Sequence, residues 1–262
     1  AGIGRTDGVG GMKQALTQLS EHVWLWPFAT GENVTQSSVG IVRGDKQTVL
    51  IDAGNGSPLA NRIKFALQAA KFPPVSHIIY THHHWDHVFG AYVFQPQEVI
   101  ANQRSVPFLQ EKAAIVWNGR YLQAQIAEQP QFAQRARAQL KAAGNWDFFR
   151  MVLPTLTFDE THSLTLDNGL LIEMKHVPGI HSPDAVAVGI PKDGLCFVGD
   201  AYYPPPSYEA TAENKDAGST EAINAFYEER YHTYIDGHNE LITARQMRLL
   251  GLSNQLMRQK KR

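Results

Sequence analysis

Short apolar runs, separated by turn residues, recur through the first 80 residues of the chain. Strands are expected where β-branched and aromatic residues cluster between turn signals, at residues 22–26, 38–43, 48–52 and 76–80. Between the second and third runs, Gly44-Asp45-Lys46 predicts a hairpin turn. A meander of strands followed by a strand–helix–strand unit is typical of an α/β sheet.

A helix is predicted between the third and fourth of these strands. Its apolar residues recur at helical spacing and fall on one face, namely Leu59, Ile63, Ala66, Leu67 and Ala70. We expect Ser57 to cap this helix at its amino end and Pro73-Pro74 to stop it at the other end.

Residues 103–150 interrupt the strand pattern with a helical block. Ser105-Val106-Pro107 begins a helical stretch, and the run 131–143, rich in Ala, Gln and Arg, strongly favours helix. The block also carries most of the aromatic candidates for a substrate pocket: Trp117, Tyr121, Trp146 and Phe149. Two interpretations stay open: these aromatics pack two amphipathic helices onto the body, or they line a pocket beneath a helical lid.

Strands are predicted again in the last part of the chain, at residues 156–158, 163–166, 169–176, 185–188 and 195–199. A length of 262 residues suffices for one large α/β domain. We expect a loose leader over residues 1–20 and a single domain over 21–262, with a helical insertion at about 103–150.

Composition excludes several classes of protein. The apolar fraction is 43% and the charged fraction 19%, as in an ordinary soluble globular protein. With 24 basic and 25 acidic residues there is no broad cationic field, which argues against nucleic acid as a partner. No apolar run approaches the ~20 residues of a membrane span. Cys196 is the single cysteine, so an internal disulfide is excluded.

The first residue is Ala1 and not Met, so we expect that an upstream segment has been removed. The compartment therefore stays open between the cytoplasm and export. Oligomeric state is not indicated by any pattern in the chain.

Eleven histidines are the anomaly of this composition, and four of them lie in residues 81–87, Thr-His-His-His-Trp-Asp-His. This segment follows the fourth predicted strand, so it lies where a buried strand opens into a loop. Imidazoles and a carboxylate are the ligands that zinc prefers. His82 and His84 point the same way in an extended turn and can hold one ion. Asp86 and His87 begin the following helix and can face a second ion.

Three later strand ends each place one residue that is able to bind metal. His181 is the expected third ligand of the first ion, His238 completes the set around the second, and Asp200 can bridge both because a carboxylate has two oxygens. His83 is expected to point away from its neighbours. His77 lies in a strand and is expected to be a core histidine or to support a ligand.

These segments, in this order, resemble the metallo-β-lactamase superfamily. The matching pieces are Thr48-Val-Leu-Ile-Asp52, the histidine cluster 81–87, Pro178-Gly-Ile-His181-Ser-Pro-Asp184, Phe197-Val-Gly-Asp200 and Gly237-His238. The resemblance covers nearly the whole chain from His22 onward. It implies an α/β protein of the αβ/βα type, a four-layer sandwich of two facing mixed sheets with helices outside and a dinuclear metal site along one edge. It also implies that Asp52 orients a histidine ligand.

The residue at the bridging position indicates which members of the superfamily this chain resembles most. The best-known subclass has cysteine where this chain has Asp200, and another subclass shares His87 but has serine at the bridging position. Asp200 together with His87 is the pattern of glyoxalase II and of acyl-homoserine lactonases. Residues 178–203 nevertheless resemble β-lactamases outside the metal ligands, so β-lactam hydrolysis stays open.

Two adjacent tyrosines follow the expected bridging residue. In acyl-homoserine lactonases a tyrosine three residues after the bridging aspartate contacts the substrate carbonyl, and Tyr203 occupies that spacing. The alternative is that Tyr203 packs beneath the turn Pro204-Pro205-Pro206. Tyr202 is a further candidate for the substrate pocket.

The expected function is a dinuclear zinc hydrolase that directs a metal-bound hydroxide at a small ester, thioester, lactone or β-lactam. Two zinc ions ~3.5–4 Å apart lower the pKa of a shared water to near 7. Asp86 is placed to orient the hydroxide and to pass a proton to the leaving group.

Two alternatives keep the fold and change the function. A mononuclear iron dioxygenase acting on persulfides would bind Fe²⁺ through the equivalents of His82, His181 and Asp200, and mixed metals are a further variant. A non-catalytic binding module on a relic scaffold would have lost ligands, and none is lost here.

Overall fold

The computed structural model describes residues 15–211 and 219–260. Most of the expected leader, residues 1–14, lies outside the described residues. Its end does not match the expectation of a loose segment, because Thr17–Gln18 pairs antiparallel with Val23–Trp26. The pairing satisfies backbone groups at the edge of a sheet. Ser20 adds a side-chain contact, since its hydroxyl donates to Oδ2 of Asp193 at 2.5 Å.

The first half of the fold contains the strands predicted at 22–26, 38–43, 48–52 and 76–80, each within two residues of its predicted bounds, together with other strands. In chain order they are β1 (Thr17–Gln18), β2 (Val23–Trp26), β3 (Ala29–Gly31), β4 (Val34–Gln36), β5 (Val39–Arg43), β6 (Thr48–Ile51), β7 (Val75–Ile79), β8 (Glu98–Asn102) and β9 (Leu156–Phe158). Except for the hairpin β3–β4, they form one sheet in the order β1-β2-β5-β6-β7-β8-β9. Pairing is antiparallel from β1 to β6 and parallel from β6 to β9, so the sheet is mixed.

The remaining strands form a second mixed sheet. They are β10 (Thr161–Thr165), β11 (Leu171–His176), β12 (Val186–Ile190), β13 (Leu195–Gly199), β14 (Thr233–Asp236) and β15 (Ile242–Thr243). They lie in chain order, and every pair is antiparallel except β13 and β14, which are parallel.

Helices cover the outer faces of both sheets. They are α1 (Ser57–Ala69), α2 (Trp85–Val88), α3 (Val106–Ala114), α4 (Gly119–Glu128), α5 (Ala133–Ala143), α6 (Thr220–Phe226) and α7 (Ala244–Lys260). Single 3-10 turns lie at Ala91–Val93, Gln103–Ser105, Pro130–Phe132 and Pro191–Asp193. None of the helices within the described residues is both long and apolar enough to cross a membrane.

Successive side chains of a strand point to opposite faces of its sheet, so the buried side chains form separate layers. One cluster lies between the sheets, where Val49 and Ile51 of β6 pack with Phe197 of β13. The outer face of the first sheet packs on α1 through residues such as Ile63. The outer face of the second packs on α6 through residues such as Phe226. The expected four-layer αβ/βα sandwich is therefore confirmed.

The helix between β6 and β7 begins at Ser57 itself, which corrects the expectation that Ser57 caps it. Gly56 is the capping position, and the Ser57 hydroxyl instead donates to the carbonyl of Ala143 at 3.1 Å. The apolar face is buried at Leu59, Ile63 and Leu67, while Ala70 lies past the helix end and is exposed.

The insertion contains three helices, α3 to α5, and not the two that the pattern predicts. The additional helix is α4, which begins after Asn118. The side-chain oxygen of Asn118 accepts a hydrogen bond from the backbone N–H of Tyr121 at 2.8 Å and so caps the helix.

Strand direction brings the functional segments to one edge. The strands β6 and β7 are parallel, and β11, β13 and β14 also share one direction. The two sheets are joined at this edge, since Val186 N donates to Thr81 O and Ser38 N donates to Gly237 O, both at 2.8 Å. The loops that follow these strands therefore meet.

Candidate metal centre

The seven residues expected to bind metal come together at this edge. Asp86 and His87 lie in α2, and the others lie in the loops that follow β7, β11, β13 and β14: His82, His84, His181, Asp200 and His238. All are buried except His238, which is half-buried. The structure thus gathers the whole predicted set.

His82, His84 and His181 each direct one ring nitrogen at a common point. Nδ1 of His84 lies 3.0 Å from Nε2 of His82 and 3.0 Å from Nε2 of His181. Burial, and next the charge of His87, holds the pKa of His82 well below its ordinary value, and burial lowers the pKa of His84 to about 4. Both rings are therefore neutral near pH 7. Neutral imidazole nitrogens that converge in this way form the ligand face that Zn²⁺ prefers.

Asp86, His87 and His238 form a second group. Oδ2 of Asp86 lies 3.0 Å from Nε2 of His238 and 3.5 Å from Nε2 of His87. Burial lowers the pKa of His238, but the carboxylates of Asp200 and Asp86 outweigh burial and raise this pKa to about 10. In the protein alone this imidazole is protonated, and an ion that bound here would replace its proton.

Asp200 lies between the two groups. Its Oδ2 is 3.4 Å from Nε2 of His181 and 4.0 Å from Nε2 of His82, both in the first group. The same oxygen is 3.4 Å from Nε2 of His238 and 3.5 Å from Nε2 of His87, both in the second. This position lets one carboxylate contribute to both groups, as in two-metal sites.

The chemistry of these side chains fits a pair of divalent ions. Ligand atoms lie within 4.8 Å of one another in the sets His82–His84–His181, Asp86–His87–His238 and His82–His87–Asp200. Nε2 of His87 and Oδ1 of Asp200 are buried and make no hydrogen bond of good geometry among the described residues. Buried polar atoms are rarely left unpaired, so these atoms are suited to an ion.

Asp52 supports this arrangement from beneath. Its Oδ2 lies 2.7 Å from Nδ1 of His87, which leaves Nε2 of that ring directed at the second group. Thr81 donates to both carboxylate oxygens, from its backbone N–H at 2.8 Å and from its hydroxyl at 2.7 Å. Asp52 holds a left-handed backbone conformation with φ of 63°, which is costly for a residue with a side chain.

A glycine is required beside the ligands. An added Cβ at Gly237 would collide with Oδ1 of Asp200 and would lie 3.0 Å from Cε1 of His87. The close approach of the backbone to these two side chains is therefore possible only at glycine.

Comparison with known proteins agrees with this geometry. The sequence profile of the metallo-beta-lactamase superfamily matches residues 33–241. The chain belongs to the metallo-beta-lactamase superfamily. A probable metallo-hydrolase, YqjP of Bacillus subtilis (strain 168), is 33% identical over 107 residues, which are 39% of this chain and 32% of that protein. This chain thus aligns with about a third of that relative's length.

Solved structures of the superfamily share the fold at low sequence identity. A metallo-beta-lactamase from Pontibacter korlensis has a TM-score of 0.62 at 19% identity, covering 92% of this chain and 98% of that one. A metallo-beta-lactamase family protein from Thermus thermophilus has a TM-score of 0.64 at 16% identity, covering 91% and 81%. The mono-zinc form of FIM-1 from Pseudomonas aeruginosa has a TM-score of 0.61 at 17% identity, covering 93% and 95%.

His83 lies outside the three ligand sets above, but with His84 and Glu209 it forms a further set whose possible ligand atoms are within 4.8 Å of one another. Its ring stacks on Phe108 with centroids 4.1 Å apart, and its Nδ1 lies 2.8 Å from Oδ1 of Asp184. The hydroxyl of Ser105 donates to the other oxygen of Asp184 at 2.6 Å. This contact was not predicted from the sequence, in which the only signal for it was an acid three residues after His181.

A cleft of about 210 Å³ opens over the ligand atoms. Besides the ligands, its walls come from the insertion and from the loop that follows Asp200: Gln131, Gln134, Arg135, Pro206, Ser207 and Tyr208, together with Thr35 and Trp85. The insertion therefore does border the cleft, but it does so mainly with polar side chains.

The aromatic residues expected in the substrate pocket do not line this cleft. Trp117 and Phe149 pack on Phe89 with ring centroids 4.8 and 4.9 Å away, and Trp146 stacks on Trp117 at 5.9 Å. Tyr121 packs edge-on against Trp117. Of the two interpretations that the sequence left open, the structure matches the first, in which these aromatics pack the insertion onto the body.

Neither Tyr202 nor Tyr203 lines the cleft. Tyr202 is buried and its hydroxyl donates to Oδ2 of Asp236, so it is also absent from the cleft walls. The Tyr203 hydroxyl lies beside the second group, where it accepts from Nδ2 of Asn239 at 2.6 Å and from the backbone N–H of His238 at 3.3 Å.

Proposed function

We propose that this protein is a dinuclear zinc hydrolase that cleaves a small carbonyl compound: an ester, thioester, lactone or β-lactam. The observation that carries the proposal is the pair of adjacent ligand groups that share Oδ2 of Asp200, with distances of 3.4 Å to His181 on one side and to His238 on the other. A pair of zinc ions held there would polarise a carbonyl and lower the pKa of a water between them.

Asp86 is proposed to hold and transfer a proton. Its Oδ2 is buried and lies 3.0 Å from Nε2 of His238, at the base of the cleft. Opposing effects act on its pKa: burial raises it, while His87 and His238 outweigh burial and lower it. The carboxylate is thus ionised at neutral pH and can accept a proton from water before delivering it to the leaving group.

Tyr203 is proposed to donate a hydrogen bond to the substrate oxygen that gains charge. Burial and the neighbouring carboxylates of Asp200 and Asp236 raise the pKa of Tyr203, so its hydroxyl keeps its proton. The oxygen accepts two N–H groups and the O–H interacts with the carboxylate of Asp236, so a hydrogen bond to the substrate would replace that contact. A donor fixed in this way stabilises a developing oxyanion.

The complete second group favours a hydrolase over a mononuclear iron dioxygenase. An iron site of that kind needs His82, His181 and Asp200, and the structure brings these together as well, with Oδ2 of Asp200 4.0 and 3.4 Å from the two histidines. Such an enzyme can retain some of Asp86, His87 and His238, but a hydrolase with two ions uses all three.

Elemental analysis of protein purified without a histidine tag or added metal tests the proposal. We expect about two zinc ions per chain, with hydrolysis of at least one of a 4-nitrophenyl ester, a thioester, a lactone and a β-lactam. His84→Ala should remove zinc and activity together. His232→Ala is the matched control, because His232 is exposed and lies outside the ligand groups. One iron per chain with oxygen uptake on a persulfide would overturn the hydrolase.

A further inference from the structure

Arg135 is a cationic residue in the cleft wall, and the metal sites proposed above give it no role. It lies in the first turn of α5, and its side chain borders the same cleft as His84, Asp200 and His238. Arg137, two residues later on the same helix, is exposed and does not border the cleft. Arg135 therefore borders the cleft because of its place on the helix, whereas Arg137 on the same helix does not.

The guanidinium of Arg135 contacts two aromatic rings. Its Cζ lies 4.3 Å from the ring centroid of Phe132 and 4.7 Å from that of Tyr208. Nη2 donates to the side-chain oxygen of Gln125 at 3.3 Å. The two ring centroids are 6.0 Å apart and the rings are inclined at 62°, so they contact the guanidinium from neighbouring sides and restrict its movement. Its hydrogen bonds form in its own plane.

One in-plane donor of Arg135 has no acceptor. Nε is buried and makes no hydrogen bond within residues 15–211 and 219–260, and in those ranges no carboxylate lies within 4.0 Å of the guanidinium. The nearby acids are engaged elsewhere: Glu209 lies 3.7 Å from Nε2 of His84, and Asp86 faces His238. A buried charged donor without an acceptor is costly unless a ligand supplies one.

We propose that Arg135 binds a carboxylate of the substrate, so that the cleft selects small acyl compounds that carry a second, anionic group. A planar, rigidly held guanidinium recognises a carboxylate better than a flexible ammonium does. The volume of about 210 Å³ suits a small substrate, because pockets for drug-sized ligands measure roughly 300–1,000 Å³. This inference rests on the proposed hydrolase function and names its substrate class.

A matched pair of esters tests the inference: 4-nitrophenyl hydrogen glutarate, which carries a free carboxylate, and 4-nitrophenyl pentanoate, which has the same chain length without it. We expect kcat/KM to favour the glutarate ester by about 10- to 100-fold, the worth of a charge-assisted hydrogen bond. In Arg135→Gln this ratio should fall to near one. Arg135→Lys should keep part of it, and Arg137→Gln, the exposed control, should keep all of it.

A binding measurement keeps this test independent of catalysis. Titration calorimetry with glutarate, in metal-free and zinc-loaded protein, should show affinity about 10-fold or more weaker in Arg135→Gln than in Arg137→Gln. If neither ester is cleaved but glutarate binding depends on Arg135, the ester-hydrolase proposal fails and the carboxylate site stands. A wild-type ratio near one, or an Arg135→Gln variant that lowers kcat/KM equally for both esters, would mean that Arg135 has only a structural role, and the inference would be overturned.

Discussion

The floor of the cleft lies at the carboxyl ends of β6, β7, β11, β13 and β14, whereas its roof comes from α5 and the loop 204–211. Floor residues are buried and tied to one another, as Asp52 is to Thr81 and His87. Gln131 and Gln134 of the roof are exposed, the first in the 3-10 turn Pro130–Phe132 and the second in α5. Ion binding demands one geometry, which the hydrogen-bonded floor provides, whereas the exposed residues of the roof can vary with the substrate that the cleft admits.

The insertion itself has two sides that show the same contrast. Its inner side places Trp117 and Phe149 on Phe89, which follows α2 and thus braces the helix that carries Asp86 and His87. Its other side borders the cleft with Gln131, Gln134 and Arg135. One side of the insertion thus stabilises the fold, and the other is proposed to choose the substrate.

The largest effect is expected in the floor, at Asp52. Asp52→Asn keeps the size of the side chain but removes the charge that holds Nδ1 of His87 at 2.7 Å. Partners of metal ligands typically contribute 10- to 100-fold, so we expect zinc affinity and kcat/KM to fall by up to about 100-fold. Zinc titration against a competing chelator and ester hydrolysis measure the two effects.

Asp45→Asn is the control for this change, because Asp45 lies in the exposed hairpin turn between β5 and β6. It should leave both quantities at their wild-type values. An Asp52→Asn variant that binds zinc as tightly as wild type would contradict the idea that the floor depends on this support.

The floor was predictable from the sequence because its chemistry limits the choice of residue. Few side chains bind zinc, and His82, His84 and the later Asp200 stand at the ends of strands that apolar patterning already predicts. Parallel strands bring such ends to one edge, so linear order was enough to group them. The support that Asp184 gives to His83 was missed, since a lone acid in a loop has many uses.

The roof could not be predicted in the same way. Trp117 and Trp146 are equally compatible with a pocket wall and with a packed helix, and only the tertiary position of Phe89 decides for packing. Arg135 gains its place from Phe132 and from Tyr208, which lies far along the chain. The contact with Tyr208 joins segments that are distant in sequence, and such a contact leaves no periodic signal.

A second prediction separates the two sides of the insertion. Trp117→Ala removes a half-buried ring from the cluster on Phe89 and should lower the free energy of unfolding by about 2 kcal/mol, less than for a fully buried Trp. The ratio of kcat/KM between the glutarate and pentanoate esters should not change. Phe148→Ala, at a ring that is 76% exposed, is the control and should leave urea unfolding nearly unchanged. If Trp117→Ala changed the ratio of kcat/KM between the two esters, Trp117 would contribute to substrate selection, and the packing interpretation would be incomplete.

The smallest effect is expected at Lys112, which shares a cavity with Trp117 and Trp146 on the inner side of the insertion. Burial lowers the pKa of Lys112 from 10.5 to about 8, against the opposing charges of Asp184 and Glu209. The folded protein therefore binds this proton less tightly than the unfolded chain does. The resulting cost to stability is fully present below pH 8 and shrinks as the pH rises from about 8 to 10.5.

Lys112→Met removes that cost and should raise the free energy of unfolding at pH 7 by about 1 kcal/mol. Its advantage over wild type should shrink as the pH is raised to 10, because wild-type Lys112 has by then lost most of its charge. Urea unfolding of both proteins at the two pH values measures this difference, and Lys46→Met, at an exposed hairpin lysine, controls for the loss of a charge. If Lys112→Met were less stable than wild type at pH 7, the attraction of the ammonium to Asp184 and Glu209 would outweigh the cost of burial. Charge interactions would then stabilise the inner side of the insertion in addition to aromatic packing.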